Sequence, residues 1–342
     1  MRYSVGIILF SLLAMIAAPA AAQKPFAIEK GEHWWGALVA NGSIMPYKCD
    51  ASTKFDLEKV NFNNQAAPLL LSSHGRYIWS EKPFTFQFLN DTIFFISGTG
   101  EKGAEIYDAG NTLRDAYIAA SNAHFPFTGN IPEEIFFSAP QYNTWIELAY
   151  DQNQRDIMAY ADSALANGFP PGIFMIDDNW QRYYGNFDFK LERFPDARAM
   201  CDTLHAKGFK IMTWICPFVS PDSPEFRYMW NKEYMVRDRN TNSVCIVPWW
   251  NGRSAAIDIT KPSARQYLAS VLREAQEKYG IDGYKFDAGD VQYMTMAACK
   301  FHNDTLTAND YSEAWASFGE LFTYNELRAG WKNGGHPIVQ RL

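Results

Sequence analysis

The chain has 342 residues, of which 47% are hydrophobic and 16% aromatic, and its formal net charge is −7. This length allows two domains with sizeable cores, and a negative charge without a basic stripe argues against nucleic acid and anionic membranes as partners. The five cysteines include no C-x-x-C pair and the six histidines are scattered, so we predict no disulfide framework and no metal site, although one disulfide stays open.

The first residues have the features of a targeting segment. Arg2 gives a positive start, residues 5–18 form an apolar run too short to span a membrane, and residues 20–22 are small, as at a cleavage site. We therefore predict a signal peptide over residues 1–22 and export to the periplasm or the extracellular space. No membrane association is expected after cleavage.

Residues 23–140 are predicted to form an N-terminal β-sandwich domain. Short runs rich in β-branched and aromatic residues at 69–79, 84–88 and 92–96 are separated by Gly, Asn, Asp and Pro turn signals. The weaker periodicity of residues 104–126 predicts a helical turn in that segment.

From residue 141 onward strands and helices alternate, which predicts parallel strands joined by helices. Strands are expected at residues 145–148, 173–176, 209–216 and 281–286, with a fifth beginning at 337. Helices are expected from a cap at Asp151 or Asn153 to Gly168, and over residues 196–207, 262–279 and 312–329. A long insertion after the third strand contains the aromatic residues Trp230, Tyr234, Trp249 and Trp250.

Polar or aromatic side chains end several of these strands, namely Asp177, Asp178, Trp214, Lys285, Asp287 and Arg341. Barrel enzymes place their catalytic groups at this end of the strands. A nucleotide-binding sheet would carry a Gly-rich phosphate loop after its first strand, and the sequence has none there. Since a complete barrel needs about 250 residues, residues 141–342 predict an α/β fold, a (β/α)8 TIM barrel truncated after about its fifth strand.

Lys285 and Asp287 are the most unusual of these residues. Side chains two apart on a strand share a face, so two charged groups lie together in a buried strand. Burial of charge is unfavourable without a partner or a function. The pattern alone fits a structural ion pair and a catalytic site equally well.

Four motifs, in this order, resemble those of glycoside hydrolase family 31, the retaining α-glycosidases. They are Ser-Ser-His-Gly-Arg-Tyr-Ile-Trp at 72–79, Asp-Asp-Asn-Trp at 177–180, Trp-Ile-Cys-Pro at 214–217 and Lys-Phe-Asp-Ala-Gly-Asp at 285–290. The similarity runs from about residue 30 to the end. It implies hydrolysis at the non-reducing end of an α-glycoside or oligosaccharide, without a cofactor.

The resemblance also implies roles for individual residues. Asp287 is the expected nucleophile, kept ionised by Lys285. The expected substrate-binding residues are Asp177, Asp178, Trp180, Trp214, Lys285 and Arg341. Trp249 and Trp250 are further candidates for stacking on a sugar.

A retaining glycosidase also needs a carboxylic acid about 5–5.5 Å from its nucleophile. The resemblance places this general acid/base on a loop beyond Arg341, after residue 342. We therefore expect an N-terminal fragment that is unstable alone and lacks efficient catalysis, since general acid assistance typically contributes about 10²–10⁴-fold.

Three alternatives stay open. An α-galactosidase of a related barrel family would use a similar Lys-aromatic-Asp strand and Asp-Asp-x-Trp segment. A non-catalytic exported sugar-binding protein would keep the aromatic pocket without needing a nucleophile. A Schiff-base lyase would use Lys285 but leaves the flanking motifs unexplained, and the sequence does not indicate which sugar is bound.

Overall fold

The computed structural model describes residues 25–49, 54–58, 65–97 and 103–341. The signal peptide predicted over residues 1–22 lies outside these ranges. Within them, no helix combines the length and the apolar character that crossing a membrane requires.

A six-stranded parallel sheet positions the candidate site. Its strands lie side by side in chain order: β1 (Gln141–Asn143), β2 (Ile173–Ile176), β3 (Lys210–Ile215), β4 (Gly283–Phe286), β5 (Tyr324–Leu327) and β6 (Val339–Gln340). Each strand is parallel to the next. Consecutive parallel neighbours of this kind form the wall of a (β/α)8 barrel.

The four longest helices between these strands cover the sheet. They are α1 (Gln154–Ala166), α2 (Ala197–Ala206), α3 (Pro262–Tyr279) and α4 (Ala308–Gly319). Side chains of Asn153 and Asp196 cap α1 and α2 by accepting backbone N–H groups, and Asn153 is one of the two caps that the sequence offered for α1. Pro262 occupies the first turn of α3, and Gly280 ends it with φ of 77°, a conformation that glycine adopts most easily. The structure therefore selects Asn153 over Asp151 as the start of α1 and confirms the predicted starts of α2 and α3.

The first and fifth strands differ from the prediction. Residues 145–148 belong to the short helix Thr144–Leu148, and β1 lies immediately before it. The fifth strand is β5, within the region predicted as a helix over 312–329, and the segment after Pro337 leads to a sixth strand instead. Hydrogen bonding to β4 stabilises β5, which has no continuous apolar run that the sequence could reveal.

The insertion after β3 folds over the carboxyl end of the sheet. It contains an antiparallel sheet of Phe218–Val219, Ile246–Trp249 and Gly252–Ala256, together with the helix Pro224–Asn231. A further short strand, Arg237–Asp238, pairs with Cys299–Lys300, which follows β4 and the helix Val291–Met296. The loops after β3 and β4 are thereby hydrogen-bonded to each other.

The N-terminal part contains two antiparallel sheets. One has the strands Phe26–Ala27, Thr92–Ser97, Thr85–Leu89 and Lys54–Asp56; the other has Trp34–Leu38, Gln65–Ser72, Arg76–Trp79 and Glu105–Asp108. Both contribute to one hydrophobic cluster, for example Leu70 and Ile78 from one sheet and Phe86 and Phe88 from the other. Among the described residues before β1, the remaining elements are the 3-10 helix Val39–Ile44 and the helices Leu113–His124 and Ile135–Ser138.

A strand from the barrel region extends the N-terminal sheet. Gly330–Trp331, directly after β5, pairs in parallel with Gln65 and Ala66. The Trp331 side chain lies in the hydrophobic cluster shared by the two N-terminal sheets. The chain therefore returns to its N-terminal region before it forms β6.

Candidate active site

The parallel register brings polar side chains to one level at the carboxyl end of the sheet. Trp214 on β3 pairs with Lys285 on β4, and Lys285 pairs with Glu326 on β5. Paired residues in adjacent parallel strands point to the same face. The ion pair of Lys285 with Asp177 identifies that face as the one carrying the charged groups.

Asp287 follows β4, and four groups contact its carboxylate. The indole N–H of Trp214 donates to Oδ2 at 2.7 Å, and the guanidinium of Arg341 donates to Oδ1 at 3.1 Å. The backbone N–H of Ala288 donates to Oδ1 at 2.9 Å, and Nε of Arg328 lies 3.7 Å from the same oxygen. These contacts fix the orientation of the carboxylate.

The surroundings of Asp287 favour its ionised form. Burial alone would raise the pKa of this carboxyl group, but the charges of Lys285, Arg341 and Arg328 and the hydrogen bond from Trp214 outweigh burial and lower the pKa below its ordinary value. A carboxylate that stays ionised although buried is suited to act as a nucleophile.

Lys285 forms its ion pair with Asp177 and not with Asp287. The Lys285 ammonium lies 2.5 Å from Oδ2 of Asp177, and both side chains are almost fully buried. The sequence allowed a structural ion pair between Lys285 and Asp287. In the structure the partner of Lys285 is Asp177, so that prediction is wrong. Lys285 still contributes its positive charge to the environment of Asp287.

Asp178 lies in a different environment from its neighbour Asp177. The hydroxyl of Tyr184 donates to its Oδ1 at 3.1 Å, and Nδ2 of Asn251, from the insertion, donates to its Oδ2 at 2.8 Å. The hydroxyl of Tyr150 donates in turn to Oδ1 of Asn251. Burial raises the pKa of Asp178 to about 6, although the hydrogen bonds from Asn251 and Tyr184 oppose the change. Asp178 can therefore exchange a proton near neutral pH.

Three of the four tryptophans predicted near the sugar differ in their exposure and contacts. Trp180 is 0% exposed and its indole N–H donates to the backbone oxygen of Trp214 at 2.7 Å. A ring without an exposed face cannot stack on a sugar, so Trp180 supports Trp214 from within the core, and its prediction as a substrate contact is corrected. Trp214 is 1% exposed and reaches Asp287 through its N–H. Trp250, in contrast, is 42% exposed, and the Arg328 guanidinium lies 5.2 Å from its ring centroid.

Two charged residues at the end of β5, Glu326 within it and Arg328 after it, were not predicted from the sequence. Arg328 directly follows β5, with its Nε 3.1 Å from Oδ2 of Asp290. Glu326 lies within β5, with Oε1 3.0 Å from Nε of Arg341, and burial raises its pKa although Lys285 and Arg341 oppose the change. Glu-Leu-Arg at 326–328 alternates like Lys-Phe-Asp on β4, but this pattern marks a strand end only once β5 is known.

One cluster of potential metal ligands lies outside the barrel. Glu29, Glu32 and His74 each offer a ligand atom, and these atoms lie within 4.8 Å of one another. Arg76 forms ion pairs with both glutamates. Arg76 neutralises one of the two carboxylate charges, so the cluster is part of an ion-pair network in this structure.

Charged side chains converging at the carboxyl ends of consecutive parallel strands are typical of barrel enzymes. A sequence profile described as the glycosyl hydrolases family 31 TIM-barrel domain matches residues 139–334. The chain belongs to glycoside hydrolase family 31. The predicted family and the predicted barrel are therefore confirmed.

Individual relatives agree with the profile. The myogenesis-regulating glycosidase of Mus musculus is 28% identical over 222 residues, covering 64% of this chain and 31% of that protein. An alpha-xylosidase of Emericella nidulans is 24% identical over 271 residues, covering 74% of this chain and 32% of that protein. The chain thus spans about a third of the length of these relatives.

Solved structures show the same fold. A family 31 dextranase of Flavobacterium johnsoniae, complexed with glucose, superposes with a TM-score of 0.75 at 15% identity, covering 92% of this chain and 41% of that chain. A xylosidase from Aspergillus niger gives a TM-score of 0.71 at 16% identity, covering 92% of this chain and 48% of that one.

Proposed function

We propose that this chain carries the nucleophile of a retaining α-glycosidase, and that Asp287 is that nucleophile. The observation that carries the proposal is the set of contacts around the buried Asp287 carboxylate, with Trp214 donating to it and Arg328 and Arg341 paired with it; together with the charge of Lys285 they lower its pKa. Asp287 would attack the anomeric carbon to form a covalent glycosyl-enzyme, which water then hydrolyses. Family membership supports this chemistry.

The neighbouring groups would bind and orient the sugar. Asp177 and Asp178 can accept hydrogen bonds from sugar hydroxyls, while Lys285 and Arg341 can donate them. Trp214 fixes the nucleophile and leaves its Oδ1 side to the arginines. The exposed ring of Trp250 offers an apolar face to a bound glycoside.

Two further parts of the proposal concern the N-terminal region. The hydrophobic cluster shared by two antiparallel sheets supports a β-sandwich before the barrel. The composition of residues 1–22 supports export, which places the substrate outside the cytoplasm.

The nucleophile can be tested without relying on a general acid. Glycosyl fluorides with a second fluorine on the ring lose fluoride without protonation and hydrolyse slowly once bound to the enzyme. The wild-type chain should gain the mass of one glycosyl group on the peptide containing Asp287. Asp287→Ala should not, whereas Asp202→Asn, a control on the exposed face of α2, should label like the wild type.

The same experiment separates the alternatives. A panel of α-glucosyl, α-xylosyl and α-galactosyl fluorides identifies the sugar, and preferred labelling by the galactosyl probe would favour an α-galactosidase. Binding of a sugar without labelling, equal in wild type and Asp287→Ala, would indicate a non-catalytic sugar-binding protein. Labelling on any residue other than Asp287 would contradict the assignment.

A further inference from the structure

Two cysteine sulfurs lie in contact in the loops above the sheet. Sγ of Cys245 and Sγ of Cys299 are 3.3 Å apart, and both residues are buried. The sulfur of Met294 lies 3.9 Å from Sγ of Cys299. None of the five cysteines forms a disulfide in the structure, and Cys201 and Cys216 lie in the barrel core.

The two cysteines come from different loops. Cys245 lies in the insertion after β3, directly before the strand Ile246–Trp249. Cys299 begins the short strand that follows β4. Both flank the segment 236–238, since Cys245 donates its N–H to the carbonyl of Val236 and Cys299 pairs with Asp238. The side chains meet because one strand positions both.

We propose that Cys245 and Cys299 are a disulfide modification site, which a small-molecule disulfide such as oxidised glutathione converts into a covalent link between the loops after β3 and β4. A disulfide bond is about 2.05 Å long, so the sulfurs must approach by about 1.3 Å. The proposal does not depend on the glycosidase activity.

The chemistry is a thiol–disulfide exchange in two steps. A hydrogen bond from Cys299 lowers the pKa of the Cys245 thiol, although burial opposes this, which makes Cys245 the attacking group. Its thiolate attacks one sulfur of oxidised glutathione and releases one glutathione thiolate. Cys299 then loses its proton and attacks the Cys245 sulfur, which releases the second glutathione thiolate. Two protein thiols are oxidised, and one disulfide is reduced to two molecules of glutathione.

The link would restrain the loops that carry residues of the candidate site. Trp250 follows Cys245 in the insertion, and its ring lies 5.7 Å from that of Tyr293 on the helix Val291–Met296, before Cys299. The guanidinium of Arg328 also lies over the ring of Trp250. A covalent bond between the two loops would therefore limit how far Trp250 moves from Arg328.

The test counts thiols in the full chain. The purified protein is equilibrated with reduced or oxidised glutathione, denatured, alkylated and analysed by mass spectrometry. The reduced protein should show five alkylated cysteines and the oxidised protein three, with one peptide pair that joins Cys245 to Cys299. Five free thiols after oxidation, or a link that uses another cysteine, would overturn the proposal.

Two variants sharpen the result. Cys245→Ser should abolish the linked peptide pair, whereas Cys201→Ser, a buried control in α2, should keep it. The melting temperature of the wild type should rise on oxidation, because a link between residues 54 positions apart restricts the unfolded chain. An equal rise in Cys245→Ser would show that the stabilisation has another cause. The thiol count of the wild type decides the proposal even if a variant fails to fold.

Discussion

Asp177 and Asp178 are adjacent carboxylates for which the structure predicts opposite effects of the same substitution. Asp177 is paired with the buried ammonium of Lys285. Asp178 is buried among neutral donors, and its pKa is raised from 3.8 to about 6. Replacing each by asparagine removes one negative charge and preserves the shape of the side chain.

The magnitude for Asp178 follows from proton linkage. A rise from 3.8 to about 6 means that the ionised form is disfavoured in the folded state by about 3 kcal/mol. Because the folded protein binds this proton more tightly, the contribution to stability is complete below pH 3.8 and is lost as the pH rises through about 6. Asp178→Asn removes this pH dependence. When the pH is raised from about 5 to about 7.5, the free energy of unfolding of the variant should therefore increase by roughly 1–1.5 kcal/mol relative to that of the wild type.

Asp177→Asn should behave in the opposite way. It leaves the buried Lys285 ammonium without its carboxylate, and removal of one partner from a buried ion pair typically costs about 3–5 kcal/mol. Urea unfolding of the wild type and both variants at the two pH values measures these differences. The reasoning is refuted if Asp178→Asn keeps the pH dependence of the wild type, or if Asp177→Asn costs no more stability than Asp178→Asn.

Three further substitutions test other contacts. Trp214→Phe removes the hydrogen bond that helps to lower the pKa of the proposed nucleophile. On acidification, the variant should therefore lose its labelling by the fluorosugar at a higher pH than the wild type does. Gly283→Ala would press a methyl group against the carbonyl oxygen of Tyr324 on β5 and should destabilise the protein by about 3 kcal/mol, whereas Gly42→Ala, which has open space, should change stability little in the same unfolding assay. Trp250→Ala should leave the free energy of unfolding within about 1 kcal/mol of the wild type, because the ring is partly exposed and its cation–π contact is worth about that much, but should raise the fluorosugar concentration needed for half-maximal labelling.

The elements that the sequence predicted well have local signals. Helix α3 was predicted with its observed bounds, because Pro262 starts it, Gly280 ends it and an apolar face runs between them. Strand β2 is a short continuous run of apolar residues, a pattern that is typical of a strand buried on both faces. In each case the residues that define the element lie within it.

The elements that the sequence missed depend on distant partners. Strand β1 has three residues and is defined by its pairing with residues 173–175 of β2. Strand β5 contains the polar residues Asn325 and Glu326, so its sequence lacks the apolar pattern of a buried strand. The same polarity contributes to the candidate site. The nucleophile candidate was therefore found from its own strand, whereas Arg328 and Glu326 required knowledge of β5.

The contact between Gln65 and the two arginine segments has a consequence for how this protein can be divided. Nε2 of Gln65, in the N-terminal sheet, donates to the backbone oxygens of both Arg328 and Arg341. Gly330–Trp331 adds a strand to the same sheet. The N-terminal region therefore acts as a template for the backbone on which both arginines approach the nucleophile, and it is not an exchangeable module. A chimera that joins this barrel to the N-terminal sheets of a relative would have to match this interface to keep the charges around Asp287 in place.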